Sequence, residues 1–366
     1  MEIRAKITGI EYQSKLTSEL KEFDIKDFNI NNLPASSIVK DGSFSFGISK
    51  WVSPKRTRSY PYERIYNTLG NSKKITVIPI IKDEGKRGDR DFIQWDTVSL
   101  MSLLDVFVIF AYYESAEKHS TRENKITNQQ FDNNLVKTKI AEIKNYHSSA
   151  LHWNLKEIAK TFPELIQKAK FSYNKIGKQL GVEFHNEQGI DRFANQFING
   201  VKEFMNTSRQ KAKEAQNREM QTIQPKEALS TLTKATITIE NYLGGIYFFT
   251  TDEIEFEGKN IYLIEGKHSR NAILPSVGDI KDGLLKMILY TNLKEVKVND
   301  IEYKPIPVIK LTSTKLNASI LSSDKTDKFN NFILNQNFSK NQKILIEKLL
   351  IEAKENNFLI NIEKAK

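Results

Sequence analysis

The segment Ile261-Tyr-Leu-Ile-Glu-Gly-Lys-His268 constrains this chain more than any other. Its apolar first half reads as a buried central strand, bounded by turn residues before it. Alternate side chains of a strand share a face, so Glu265 and Lys267 project to one side and Ile264 and His268 to the other. An ordinary ion pair is one reading of such a carboxylate and ammonium. A buried strand makes charges costly unless they are paired or bound to a metal. They are tolerated at the strand's carboxyl end, where open sheets place their ligands.

The residues before this strand fold back onto it. Asp252-Glu-Ile-Glu-Phe256 alternates with period two, and Glu257-Gly-Lys-Asn260 is a turn in which Gly258 supplies a positive φ. Pairing across the turn brings Asp252 toward Glu265. Two close carboxylates need a cation, and a hard ion such as Mg²⁺ takes oxygen ligands. The carbonyl of Gly266 is a further candidate ligand. Such an ion activates water and neutralises charge on a phosphate, while Lys267 orients the water or stabilises the transition state.

Around this hairpin the elements run helix, four strands, helix and strand, a series that contains an α-β-β-β-α-β order. Pro225 opens a short helix. Ala235-Thr-Ile-Thr-Ile-Glu240, the turn at Gly244-Gly245 and Ile246-Tyr-Phe-Phe249 come next. The strand pair at 252–267, an amphipathic helix Asp279-Ile-Lys-Asp-Gly-Leu-Leu-Lys-Met-Ile-Leu-Tyr290 and a strand Pro307-Val-Ile-Lys-Leu311 complete it.

The span Asp252…Glu265-Gly-Lys267, with this element order, resembles the PD-(D/E)XK nuclease superfamily, and the whole has the look of a type II restriction endonuclease. The motif core covers about a quarter of the chain. The resemblance implies an α/β fold: a mixed sheet flanked by helices, carrying a large helical insertion. It implies Asp252 and Glu265 as metal ligands, Lys267 as the catalytic lysine and Mg²⁺ as cofactor. The implied reaction is hydrolysis of a phosphodiester to a 5′-phosphate and a 3′-hydroxyl. Glu240, at the end of a preceding strand, matches the extra acid that often supports the metal in this superfamily; its other reading is a solvated strand end. Thr251 stands where the pattern has proline before the aspartate. The implied partners are double-stranded DNA and a second copy of the chain, since palindromic sites mirror two-fold symmetry. A cognate DNA methyltransferase is expected as a genetic partner.

Composition agrees with such a role without requiring it. The 366 residues carry a formal charge of +10, which favours a polyanion through counterion release. Cysteine is absent, which excludes disulfides and thiolate chemistry. No apolar run is long enough for a membrane span, and the start Met1-Glu-Ile-Arg-Ala-Lys has no signal core. Heavy use of Lys, Asn and Ile suggests an AT-rich bacterial source, and the expected location is the bacterial cytoplasm.

The chain reads as four regions. Residues 1–125 mix strands and helices, with Lys74–Ile81 and Val106–Tyr113 as buried strands around a short helix that Asp96 or Thr97 would cap. Residues 126–224 are helical, with apolar stripes through Leu135, Ile140 and Ile143 and through Phe193, Phe197 and Phe204; 225–315 form the nuclease core, and 316–366 a helical extension with a helix at 340–350. The first two regions would supply base recognition and the dimer surface.

Two loops compete for attention. Asp83-Glu-Gly-Lys-Arg-Gly-Asp-Arg-Asp91 reads as a solvated loop, as a phosphate grip through Arg87 and Arg90, or as a second acidic site with Asp96. Ser53-Pro-Lys-Arg-Thr-Arg-Ser-Tyr-Pro-Tyr62 offers Lys55, Arg56 and Arg58 to DNA, or is a plain surface loop. His268 and Arg270 lie next to the catalytic strand and can touch phosphate. His147 and His152 are spaced wrongly for a zinc pair, and no phosphate loop appears. The rival functions are a repair or RNA-directed nuclease and a non-catalytic nucleic-acid-binding protein.

Overall fold

The computed structural model describes residues 1–54, 61–197, 202–208, 210, 214, 235–242 and 246–365. The fold is mixed α/β, with several sheets flanked by helices. Contacts divide the chain into two units, Met1–Thr17 with Gln210–Lys366, and Ser18–Arg209. This division cuts across the four regions expected from sequence. The first two regions merge into one unit, and the first seventeen residues join the unit that holds residues 210–366.

In the unit Ser18–Arg209, the sheet order is Glu22–Asp24, Ser36–Asp41, Phe44–Lys50, Lys74–Pro79, Val106–Ala111. The expected crossover is present: Lys74–Pro79 and Val106–Ala111 run parallel, joined through the helix Trp95–Leu103. That helix begins two or three residues earlier than a cap at Asp96 or Thr97 would place it, with Gln94 at its N-cap and no side-chain cap bond, so neither residue caps it. The helical region starts later than expected, because Ile126–Phe131 pairs with Tyr113–Lys118 as a two-stranded ribbon. Helices Asn133–Lys144, Ala150–Leu180 and Gln188–Asn195 follow. The second ends at Gly181, whose φ of 60° needs no Cβ. Phe193, Phe197 and Phe204 are buried together, as their spacing predicts.

The other unit holds two five-stranded sheets. One orders Ile246–Thr251, Ala235–Asn241, Glu2–Ile7, Lys294–Val298 and Ile301–Glu302. The second orders Glu253–Glu257, Asn260–Ser269, Lys304–Ser313, Leu359–Lys364 and Ile320–Leu321. The strands expected between 235 and 311 all form, and the helix Val277–Tyr290 starts two residues early. Three features were not anticipated. Short strands Lys294–Val298 and Ile301–Glu302 form between that helix and Lys304–Ser313. The strands 235–241 and 246–251 belong to a different sheet from the Glu265 strand. The C-terminal extension is not only helical, since Leu359–Lys364 runs parallel to Lys304–Ser313 inside the second sheet. Helix Lys340–Asn356 carries the buried Glu352, which accepts from Tyr12 Oη at 2.7 Å and from Lys15 N at 2.8 Å, so the chain start is tied to this unit. The expected helix at Pro225 and turn at Gly244-Gly245 lie outside the described residues. Among the described residues, no helix is long and apolar enough to cross a membrane.

Candidate active site

Asp252 is the single residue between two strands that belong to different sheets, Ile246–Thr251 and Glu253–Glu257. Thr251, fully buried, fixes this corner by donating its hydroxyl to the carbonyl of Glu253 at 2.8 Å. The hairpin then turns at Gly258, φ 59°, with Glu257 opposite Asn260 and Glu253 opposite Ile264. That register sets Asp252 against the Glu265 end of the partner strand.

The strand Asn260–Ser269 lies between Glu253–Glu257 and Lys304–Ser313, and Ile261 and Leu263 are fully buried. It continues to Ser269, so Glu265 and Lys267 do not sit at its end. The opening comes from the neighbour, whose pairing stops at Ile264. Beyond that point the backbone edge of Gly266 meets a side chain instead of a strand: its N–H donates to Asp252 Oδ2 at 2.9 Å. In an extended strand the N–H and C=O of one residue face the same neighbour. The Gly266 carbonyl therefore faces the Asp252 side.

Glu265 is 2 % exposed and engages two ammonium groups. Lys267 Nζ lies 2.9 Å from Oε1, in agreement with their shared strand face. Lys286 Nζ lies 2.6 Å from Oε2 and also donates to the carbonyl of Thr250 at 3.1 Å. Lys267 in turn reaches Asp282 Oδ2 at 3.0 Å. Lys286 and Asp282 come from the helix Val277–Tyr290, capped by Ser276, whose side chain accepts from Asp279 N. Their i, i+4 spacing puts both over the sheet. Gly283 lets the helix come close, for a Cβ there would stand 3.1 Å from both Lys267 Cε and Ile309 Cδ1.

The electrostatics separate the two carboxylates. Burial, then the charge of Glu265, raises the Asp252 carboxyl to about 6, against the pull of Lys286, the Gly266 N–H and Lys267. Burial also pushes Glu265 up, but Lys286 and Lys267 outweigh it and hold Glu265 below its ordinary value. Burial lowers both lysines, and Glu265 more than restores them, so Lys267 stands above its usual value and Lys286 well above. A carboxylate pair with an aligned backbone carbonyl is an all-oxygen donor set. Among the described residues, no three His, Cys, Asp or Glu side chains converge as a metal site. That leaves two side-chain carboxylates, which suits Mg²⁺, an ion commonly held by one or two carboxylates with waters completing its shell. A full side-chain cage for zinc is not offered.

The other expected site residues divide. His268 lies on the opposite face, with Nδ1 2.9 Å from Thr312 Oγ1, and Arg270 is exposed just past the strand. Glu240 is not brought to the site. It pairs with Ile246, at the end of its strand remote from the Ala235–Thr251 pair, and is exposed. Five residues of strand put it roughly 16 Å along from Thr251. Lys55, Arg56 and Arg58 lie outside the described residues.

Only the tip of the 83–96 cluster, at Lys86, Arg87 and Asp89, is solvated, while Asp83, Asp91 and Asp96 are buried. Asp83 is buried and meets the Gly85 N–H at 2.9 Å and His185 Nδ1 at 2.8 Å. Asp91 accepts from Ser53 Oγ at 3.0 Å. Arg90 is spent on the Asn186 carbonyl at 2.7 Å and lies over the Phe92 ring. These contacts build its side chain into the fold. Arg87 remains exposed, 3.8 Å from Glu123.

Sequence reading missed Lys286 and Asp282. The available signal was Lys286 itself, set among Leu284, Leu285, Met287 and Ile288 on a helix whose apolar residues must face a sheet. No protein-family model matches the chain, and neither a curated protein nor a solved structure matches it.

Proposed function

We propose that the chain is a Mg²⁺-dependent nuclease of the PD-(D/E)XK type, a type II site-specific endonuclease acting on double-stranded DNA. The observation that carries this reading is the meeting of Asp252, the Gly266 backbone, Glu265 and Lys267 where the strand pairing stops. Asp252, Glu265 and the Gly266 carbonyl would hold the ion. Bound Mg²⁺ would neutralise charge at the scissile phosphate and acidify a water.

The protein's own groups do the rest. Lys267, steadied by Glu265 and Asp282, presents a fixed ammonium to the attacking water or to the phosphate oxygen on which charge grows. Lys286 holds Glu265 from behind and pins it to the Thr250 carbonyl. Exposed His268 and Arg270, with the net charge of +10, attract the phosphate backbone. A homodimer cutting both strands, a bacterial cytoplasmic setting and a cognate methyltransferase complete the proposal for a restriction-modification enzyme.

A second reading has one observation in its favour. Both oxygens of Glu265 already face ammonium groups. A chain in which Lys286 permanently replaces the ion would bind nucleic acid without cleaving it.

The test is plasmid cleavage with Mg²⁺ and with EDTA. Discrete fragments that require Mg²⁺ and vanish in both Glu265→Gln and Lys267→Ala support the restriction reading. Smearing or loss of RNA points to a repair or RNA-directed nuclease. Retention of full cleavage by both variants refutes the site, and DNA binding with no cleavage under any divalent ion selects the second reading.

A further inference from the structure

The unit Ser18–Arg209 contains a cavity of about 400 Å³ that plays no part in the site described above. Small-molecule sites span roughly 300–1,000 Å³, so it holds one small molecule. It lies at the end of three parallel strands. Phe44–Lys50, Lys74–Pro79 and Val106–Ala111 run side by side in one direction. Each contributes to the wall: Lys50 closes the first strand, Lys82 and Glu84 follow the second, and Tyr113 follows the third. Open α/β sheets bind their ligands outside the carboxyl ends of such strands. The ribbon of Tyr113–Lys118 and Ile126–Phe131 supplies another wall, with His119 and Lys125 at the two ends of its turn.

The charges of this lining do not balance. Lys50, Lys82 and Lys125 share a single carboxylate, Glu84. Glu84 pairs with Lys82 at 2.7 Å and with Lys125 at 3.0 Å. The side chains of this trio remain 17 % to 18 % exposed, so a molecule in the cavity reaches them. Lys50 is half-buried and has no carboxylate partner among the described residues. Its Nζ donates to the carbonyls of Ile30 and Asn31 at 2.9 and 3.1 Å, which leaves one of the three ammonium donors. Burial, then the Arg64 charge nearby, lowers the Lys50 ammonium below its usual value. A part-buried cation without a counter-charge is costly, and an anion in the cavity removes that cost.

His119 adds a second donor. Its Nδ1 accepts from the N–H groups of Thr121 and Arg122, both at 3.2 Å. The neutral ring therefore carries its proton on Nε2. That N–H has no partner among the described residues, and the side chain lines the cavity.

We propose that the cavity binds a phosphate dianion, either free phosphate or the head of a small phosphate monoester, with the Lys50 ammonium and the His119 Nε2–H as donors. Three ammonium groups against one carboxylate leave two positive charges, which a dianion balances. A neutral molecule would leave Lys50 without a counter-charge. A monoanion would answer Lys50 and leave the surplus beside Glu84. Lysine suits phosphate as a point charge, without the fork geometry by which arginine grips carboxylates.

The test is calorimetric titration of the full chain at about pH 8, where phosphate and its monoesters are dianions. Divalent ions are left out, and chloride keeps the ionic strength constant. The ligands are inorganic phosphate, methyl phosphate and dimethyl phosphate, the last a monoanion like a DNA backbone phosphate. The expected result is one dianion per chain, bound at least about tenfold more tightly than dimethyl phosphate. Lys50→Met should weaken it about tenfold or more. Lys50 also ties two carbonyls, so His119→Glu is the second variant. It keeps an acceptor for the Thr121 and Arg122 N–H groups and sets a negative charge beside the cavity. It should weaken binding several-fold with no change in melting temperature. Methyl phosphate binding more tightly than phosphate identifies a monoester as the ligand, and the reverse order identifies free phosphate. Absence of dianion binding up to millimolar concentration overturns the proposal. So does dimethyl phosphate binding as tightly as phosphate, which would mark a contact to a DNA backbone, or binding indifferent to both variants.

Discussion

The Nζ of Lys286 donates to Oε2 of Glu265 at 2.6 Å across 21 residues of sequence, one residue on a helix and the other on the strand before it. Neither side chain reaches bulk water freely, so each is the condition for burying the other. Removing one member of a buried pair leaves an unpaired charge and typically costs roughly 3–5 kcal/mol.

Lys286→Met is therefore expected to destabilise the protein by about 3 kcal/mol in urea denaturation. Lys267 still faces Glu265, which keeps the loss toward the lower end. If Mg²⁺ binds at Glu265, saturating Mg²⁺ recovers more stability in the variant than in wild type. A loss below about 0.5 kcal/mol would mean that the pair contributes little to the fold.

Asp252 has the opposite character. Its carboxyl, at about 6, binds a proton more tightly in the folded protein than in the unfolded chain. Its contribution to stability is complete below about pH 4 and is lost as the pH rises through about 6. At pH 7.5 the ionised group weakens the metal-free fold by something on the order of 3 kcal/mol. Asp252→Asn should raise the melting temperature at pH 7.5 in EDTA, flatten the stability profile between pH 4 and 6, and abolish cleavage. An unchanged or lower melting temperature there would contradict the like-charge account.

Gly283→Ala separates positioning from stability. The added Cβ stands 3.1 Å from Lys267 Cε, so the lysine tail must give way. Alanine in place of glycine in a helix interior gains about 1 kcal/mol, which offsets the crowding. Melting should stay near the wild-type value while kcat falls, since a misplacement of about 1 Å can cost on the order of 100-fold. Unchanged kcat would show that the exact place of Lys267 is unimportant.

Arg90 and Arg270 should respond in opposite ways. Arg90→Ala strips a donor from the Asn186 carbonyl and the cover from Phe92, and is expected to cost about 1–3 kcal/mol of stability. Arg270→Ala leaves melting unchanged, and lowers the salt dependence of DNA binding by about one unit of slope if this residue meets phosphate. Denaturation and DNA binding at several salt concentrations read both effects.

The strands from Ala235 to Ser269 were legible in the sequence because they are written locally, whereas the short strands Lys294–Val298 and Ile301–Glu302 were not read. Period-two alternation at 252–256, the Gly258 turn and the apolar run at 261–264 each depend on neighbours along the chain. Glu265 and Lys267 on one face follow from the same period, and their 2.9 Å contact agrees with it. Glu240 shows the limit of such reading. It stands twelve residues before Asp252 in the chain, and the register of its strand with Ile246–Thr251 carries it to the far end.

What the sequence by itself determined is therefore the hairpin, its register and the chemistry of its two charged residues, for these are set by backbone geometry over a few residues. Only the tertiary structure decided three further things. It set Lys286 and Asp282 over the strand, it divided the strands between two sheets at Asp252, and it brought Leu359–Lys364 into the second sheet. The physical reason is that parallel pairing and helix-on-sheet packing join residues far apart in the chain, and no local period records which distant partner a buried charge will find.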